Sequence, residues 1–330
     1  MDNKGSQKRT KLYRWIFRII RDGIAIGNRR FEFLAFSSSQ LRETSVWMFA
    51  SNGIVNVDNI RQWMGNFSSI RNVAKCAARM GQSFSSSIET LHIHGDEIRI
   101  IPDIQVRNGN RTYNFSDGIG KLSQPLAELV ALKCGCEKNS KRIPSAFQIR
   151  YGGYKGVVAV DPTSVDKLSL RLSMWKHHSN NTNLEVLSWT RFRPCFLNRQ
   201  IIALLSTLGV EEQSFETLQQ QAITHLDELL TNREMALEVL QIMFSGDSHK
   251  AVIDMLSCGY SPDSEPYLSM ILQSFRLCKL LELRRKARIF VSKGRCLMGC
   301  LDETRTLKYG EVFVPVSRLQ LEMSTGSLFC

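Results

Sequence analysis

PSAFQIRYGGYKGVVAVDP, residues 144–162, sets two short β-rich runs on either side of a glycine-rich turn. Ala146–Arg150 and Val157–Val160 have the β-branched and aromatic content of strands. Between them lie three glycines, two tyrosines and a lysine, just after Arg150. Glycine lets a backbone approach a phosphate closely, and Lys or Arg then supplies charge. A neighbouring aromatic ring can stack on a base. The same glycines also suit a tight turn between strands, and both readings stand at this stage. A second loop, Phe115-Ser116-Asp117-Gly118-Ile119-Gly120-Lys121, puts two glycines and a lysine beside an expected helix start. Neither loop has the G-x-x-x-x-G-K-[ST] spacing of a nucleotide-binding P-loop.

Outward from these loops the chain divides into three zones after a polar, basic segment at 1–10. Zone one, 11–196, is mostly strand-like, with further runs at Ile24–Ile26, Phe31–Phe36, Val46–Ala50, Ile98–Val106 and Leu184–Trp189. Helical patterns interrupt it at Ile70–Met80 and Pro125–Cys134. Zone two, 197–286, is helical. Phe215, Leu218, Ala222, Leu226 and Leu229 form one core stripe, and Ala236, Val239, Leu240 and Met243 another. Its last helix, from about Glu265, ends on Arg284, Arg285 and Lys286, which suit the negative end of a helix dipole. Zone three, 287–330, returns to strands. Arg288–Val291 and Cys296–Leu301 flank a hairpin signal at Ser292–Arg295, and Glu311–Val316 reads as another strand. Two or three strands do not close a β-domain, so this zone reads as the opening of an incomplete one.

The 330 residues carry 43 Lys and Arg against 31 Asp and Glu, a formal charge of +12. The excess lies within patterned segments, such as Arg71, Lys75 and Arg79, rather than in a tail. That favours a basic surface able to neutralise phosphates. No apolar run reaches the roughly 18 residues of a membrane helix, so no membrane partner is expected. The nine cysteines form no C-x-x-C pair and are expected to be reduced thiols. His92 and His94, two apart on a strand-like run, have no evident third ligand, and the His177-His178 pair reads as solvated. Acid pairs such as Asp302-Glu303 read as surface or turn acids. Two-metal phosphoryl transfer needs clustered carboxylates, and the sequence contains no Asp-x-Asp. No metal-ligating residues are therefore assigned.

Longer strings identify the chain more closely. Phe31–Arg42 (FEFLAFSSSQLR), Ser45–Gly53 (SVWMFASNG), Ile70–Ser87 (IRNVAKCAARMGQSFSSS) and Phe115–Ser123 (FSDGIGKLS) resemble plant cellular RNA-dependent RNA polymerases. So do the opening stretch, Pro194–Gly209 (PCFLNRQIIALLSTLG), Ser264–Phe275 (SEPYLSMILQSF) and Lys293–Glu303 (KGRCLMGCLDE). The resemblance runs from about Lys11 to Val314. It implies an α+β fold: a first double-psi β-barrel, a helical connector, and the truncated start of a second double-psi barrel. It implies an RNA-directed RNA polymerase that makes double-stranded RNA from single-stranded template and NTPs in RNA silencing, with silencing-pathway proteins as partners and a nuclear location, a cytoplasmic one being the alternative.

In the family, an Asp-x-Asp-Gly-Asp loop of the second barrel holds Mg²⁺. Its absence from this sequence leads us to expect a chain that does not polymerise alone; the alternatives are a non-catalytic RNA- or partner-binding fragment and an incomplete gene product. By the same resemblance Lys155 and Lys121 are the catalytic candidates, acting electrostatically on phosphate charge. Arg150, Gly152, Gly153, Tyr154 and Gly156 are the RNA- or NTP-binding candidates.

Overall fold

The computed structural model describes residues 11–136, 143–191, 193–243, 250–308 and 310–314. Contacts gather into two units, Met1–Arg191 with Met298–Thr306, and Phe192–Leu297 with Leu307–Cys330.

In the first unit α1 (Lys11–Asp22) leads into β1 (Ile24–Ile26) and β2 (Arg29–Ala35). After α2 (Ser38–Arg42), β3 (Trp47–Ala50) completes a small antiparallel sheet in the order β1-β2-β3. The sequence hid α1 inside a zone read as strands, although Leu12, Trp15, Ile16 and Ile19 have helical spacing. α3 (Val57–Met64) starts at a reciprocal cap between Asn56 and Asn59 and ends at Gly65. Arg61 anchors it to the small sheet by donating to the carbonyls of Leu34 (3.0 Å) and Phe33 (2.7 Å). α4 (Val73–Met80) begins at Asn72, whose side chain accepts from Lys75 N. It is the C-terminal part of the helix expected over 70–80.

The larger sheet uses β4 (Ile88–His92), β5 (Ile98–Ile101), β8 (Ile119–Ser123), β9 (Ala146–Tyr151), β10 (Tyr154–Asp161), β11 (Leu168–Arg171) and β12 (Asn183–Trp189). A separate ribbon pairs β6 (Gln105–Asn108) with β7 (Arg111–Asn114). The run read as one strand over 98–106 is thus two strands, broken at Pro102, which has no N–H for the ladder. The seven strands lie in the order β4-β12-β9-β10-β8-β11-β5. β10 runs parallel to β8, and β11 parallel to β5; the other pairings are antiparallel.

Alternation sorts the faces of this sheet. Phe147, Ile149, Val158, Leu168, Leu170, Leu184 and Val186 are fully buried on one side. There they pack with Leu126, Ala127, Val130 and Ala131 of α5 (Gln124–Lys133). Each large aliphatic or aromatic side chain buried this way contributes about 1.5–3 kcal/mol. The residues between them, including Gln148, Arg150, Lys155 and Lys121, therefore fall on the opposite face.

In the second unit β13 (Pro194–Phe196) precedes α6 (Arg199–Thr207), α7 (Glu212–Glu228), α8 (Arg233–Met243), α9 (Lys250–Ser257) and α10 (Pro266–Lys286). Leu226, Leu229, Leu240, Leu256, Leu268 and Leu272 form its core at helical spacing. The basic end of α10 closes at Ala287 in left-handed conformation (φ 49°).

Beyond α10 the expected hairpin is not formed. β14 (Phe290–Arg295) runs straight through Ser292–Arg295 and pairs with β13, joining Phe196 to Phe290 and Pro194 to Arg295. The register shift between Pro194 and Cys195 absorbs the extra residues as a bulge. Gly294 belongs to that bulge, where a Cβ would lie 2.6 Å from the Cys195 Cβ. Residues 296–301 form no strand, nor do 311–314. The remainder of the strand expected to 316 lies outside the described residues.

Candidate functional site

The turn at the centre of the opening stretch has two residues, Gly152 (φ 49°) and Gly153 (φ 84°). A two-residue hairpin with positive φ at both positions matches the right-handed strand twist, and glycine adopts it without strain. The tip is stitched to the following loop. Gly152 N donates to Asn181 O (2.9 Å), and Lys176 N to Gly153 O (3.0 Å). Further along, Val157 N donates to Gly118 O (2.8 Å). A Cβ on Gly156 would lie 2.2 Å from that same oxygen. Gly153 and Gly156 thus serve close backbone packing, and Gly152 the positive φ of the turn.

The hairpin register sets Lys155 directly opposite Arg150. Arg79 of α4 and Lys176 complete a basic cluster. Burial pulls the Lys155 ammonium below the ordinary lysine range, and Arg150, Arg79 and Lys176 push the same way. Burial likewise lowers Arg150, with Glu185 opposing it. Among the described residues, no carboxylate lies within ion-pair distance of Lys155, Arg150 or Arg79. Lys176 has only Asp117, at 3.9 Å. The Nε atoms of Arg79 and Arg150 are buried without a hydrogen-bond partner. Glu185 pairs in register with Arg150 but is engaged by Ser87 (2.7 Å) and Asn181 (3.0 Å). The cluster thus holds half-buried positive charge that no carboxylate among the described residues balances at Lys155, Arg150 or Arg79.

Lys121 is placed differently. It lies opposite Ala159, four residues further along β10 than Lys155, which is about 13 Å of strand. Its ammonium is held by Glu303 (3.0 Å) and Asp161 (3.2 Å). Its pKa is raised, first by the bond to Glu303. Glu303 also binds Arg171 (3.0 Å), whose side chain is only 2% exposed. Arg171 in turn donates to the carbonyls of Pro102 (3.0 Å) and Ile119 (2.6 Å). Glu303, read from the sequence as a surface acid, is therefore the hub of a structural ion network. Tyr154 is also a packing residue: its ring lies against the core and burial raises its pKa.

His177 corrects another expectation. It is buried rather than solvated, stacks on Phe67 with centroids 4.7 Å apart, and leaves Nδ1 without a partner. Burial keeps its pKa below the usual histidine value, with Arg79 and His178 adding to the effect against a hydrogen bond to the Met64 backbone.

A catalytic Mg²⁺ would need several oxygen donors converging on one point. Among the described residues no three His, Cys, Asp or Glu side chains gather in this way. Asp161 and Glu303 approach each other only around the Lys121 ammonium. The described residues do not fit a metal centre. His92 and His94 touch edge to face at 4.6 Å, and His92 Nε2 is engaged by the Thr182 hydroxyl (2.6 Å). Cys134 is a half-buried thiol that burial pushes up to about 11, the reverse of an activated nucleophile. No helix among the described residues is long and apolar enough to cross a membrane.

Sequence reasoning found Lys155, Arg150 and Lys121. It noted Arg79 only as one of several helical basic residues and missed Lys176, Arg171 and Glu303. The only signal for Arg79 was its place in a basic helix stripe. Nothing in the sequence tells a neutralised lysine from an unneutralised one.

A mixed sheet with an apolar face packed on a helix and basic residues on the opposite face defines an α+β protein. The particular family follows from comparison. The profile of the RNA dependent RNA polymerase family matches residues 1–327, and the chain belongs to that family. It is 58% identical to RNA-dependent RNA polymerase 1 of Arabidopsis thaliana over 94% of this chain, and 51% identical to RNA-dependent RNA polymerase 2 of the same plant over 96%. RNA-dependent RNA polymerase 1 of Schizosaccharomyces pombe is 35% identical over 96%. The chain spans 28% of the length of the two plant relatives and 26% of the yeast one. In structure it is similar to the RNA dependent RNA polymerase QDE-1 from Thielavia terrestris, with TM-score 0.57 and 15% identity over 84% of this chain and 35% of that one.

Proposed function

We propose that this chain supplies the RNA- and nucleotide-facing basic sheet of an RNA-directed RNA polymerase that copies single-stranded RNA into double-stranded RNA for silencing, in the nucleus and alongside silencing-pathway proteins. The observation that carries the reading is the Lys155 cluster: half-buried cations at the outer sheet face, of which Lys155, Arg150 and Arg79 lack a carboxylate partner among the described residues. Such a cluster stabilises phosphate charge during transfer and moves no proton. Lys155 and Arg150 carry this role. Lys121 contributes less, because Asp161 and Glu303 already balance its charge. The glycines and Tyr154 shape the hairpin that presents the two cations. We further infer that the seven-stranded sheet, with its two parallel pairings, is the first double-psi barrel of the family fold.

Binding of short unstructured RNA by this chain, measured against salt, tests the proposal. The expected result is binding that weakens as salt rises, with Lys155→Ala reducing the magnitude of the log–log slope by about 0.7, the value for one phosphate contact on a single strand. Lys121→Ala should change the slope much less. A Lys155→Ala slope equal to that of the unmodified chain would exclude the assignment.

The missing Asp-x-Asp favours a second reading for the isolated chain: binding of RNA without synthesis. Purified chain given template, Mg²⁺ and labelled NTPs is expected to incorporate none. Template-dependent product would sink this reading.

A further inference from the structure

Beside the basic cluster lies a second feature of different chemistry. A groove of about 880 Å³ runs between the end of α3 and the loop at 178–183. Its volume is within the range of about 300–1,000 Å³ found for ligand sites. Trp63, 71% exposed, forms part of one wall. Among the described residues its indole has no stacking or cation partner. Large aromatic surface left open in a concave site is usually surface awaiting a ligand.

The rest of the lining is rich in amides and contains no carboxylate: Gln62, Asn66, Asn180, Asn181 and Asn183 all contribute. Three of these have structural duties. Asn181 donates to Glu185 (3.0 Å), Asn183 to Glu89 (2.8 Å), and Asn66 accepts from Ser68 (2.7 Å). The side chains of Gln62 and Asn180 make no hydrogen bond among the described residues. Each presents both a donor and an acceptor, the pairing that reads the edge of a nucleobase.

The groove is preformed. Asn66 N donates to His178 O (2.8 Å) in an isolated bridge that joins its two walls. Gly65 (φ 137°) permits that approach, since a Cβ there would lie 2.7 Å from the His177 ring and 2.8 Å from His178 O. The groove also continues toward the basic cluster. A smaller cavity of about 70 Å³ beneath the hairpin, lined by Arg150 and by Glu185, whose oxygens are engaged by Ser87 and Asn181, shares Trp63, Ser179 and Asn181 with it. An aromatic platform with free amides, adjoining unneutralised cations, matches an unpaired nucleotide: base on one side, phosphate on the other.

We propose that this groove binds an unpaired base of single-stranded RNA, with Trp63 stacking on the base and Gln62 and Asn180 bonding its edge. The proposal rests on the phosphate-facing reading of the Lys155 cluster and adds to it a base subsite outside the large sheet.

The test uses the whole chain, a fluorescent 12-nucleotide single-stranded RNA, an abasic oligomer of equal length, a duplex of the same sequence, and a nucleoside monophosphate as competitor. Trp63→Ala is expected to weaken single-strand binding roughly five-fold to a hundred-fold, the range for one base–aromatic stack. The salt slope should stay unchanged, because no charge is lost. Trp63→Phe should retain most of the affinity, and the abasic oligomer should bind both chains alike. The exposed position of Trp63 lets the variant fold, and an unchanged melt verifies that.

If Trp63→Ala binds the single strand as the unmodified chain does while Lys155→Ala still lowers the salt slope, the base subsite is overturned and the phosphate reading stands. If the unmodified chain binds no RNA, both fall. Equal weakening toward the abasic oligomer or the duplex would also overturn it, by showing that the indole acts through the fold. Full competition by the free monophosphate would assign the groove to mononucleotides and overturn the strand assignment.

Discussion

Gly153→Ala is expected to destabilise the first unit by about 2–5 kcal/mol, although it adds a single methyl group. Two costs combine. Gly153 has φ 84°, a conformation that costs an L-residue roughly 1–2 kcal/mol. Its new Cβ would also lie 1.8 Å from His177 O and 2.9 Å from the carbonyl carbon. Relieving that overlap means moving backbone, at about 1–3 kcal/mol. The backbone is held on both sides by the bonds Gly152 N to Asn181 O and Lys176 N to Gly153 O. Gly152→Ala is the control: its φ is 49°, and its nearest new neighbours are 3.8 Å away. It should lose only the conformational part, so the difference between the two variants measures the overlap. Urea unfolding followed by tryptophan fluorescence reads this cleanly, because Trp15, Trp47, Trp63, Trp175 and Trp189 all lie in the first unit. Equal losses for the two variants would refute the argument.

Arg171→Leu should cost a similar amount, about 3–5 kcal/mol, by a different route. Removing one member of a buried ion pair leaves the others without partners. Here the carbonyls of Pro102 and Ile119 and one oxygen of Glu303 lose their donor together. Glu303 keeps Lys121 and some solvent access, which sets the expected value toward the lower end. Arg171→Lys should recover little, since an ammonium cannot reach three separated acceptors as a planar fork does. A fall in the urea midpoint with an unchanged slope is the expected signature. A loss below about 1 kcal/mol would show that the network is dispensable.

The local parts of the fold were legible in the sequence. The hairpin at 146–161 declares itself through β-branched runs about two glycines, and the helices of 199–286 through leucines at 3.6-residue spacing. Failures came where a long-range partner overrides a local signal. Ser292–Arg295 looks like a turn, yet β13 draws it into a strand and the bulge accommodates Gly294. At the candidate site, residue type was readable and charge state was not. Lys121 and Lys155 stand in similar glycine-rich settings. One is neutralised by Asp161 and Glu303, and the other is surrounded by Arg150, Arg79 and Lys176. The same limit hid Trp63 and the amides, which become neighbours only when Asn66 bridges to His178.

The Glu303 network also has a consequence in time. A ribosome adds about 5–20 residues per second and releases the chain from its N-terminus. The seven-stranded sheet has all its strands once residue 189 has emerged, yet Arg171 and Lys121 still lack their shared carboxylate. That carboxylate arrives only after α6 to α10 have been synthesised. Until then a buried guanidinium sits without its counter-charge, and the first unit is born incomplete, to be locked by a segment made long after its own strands.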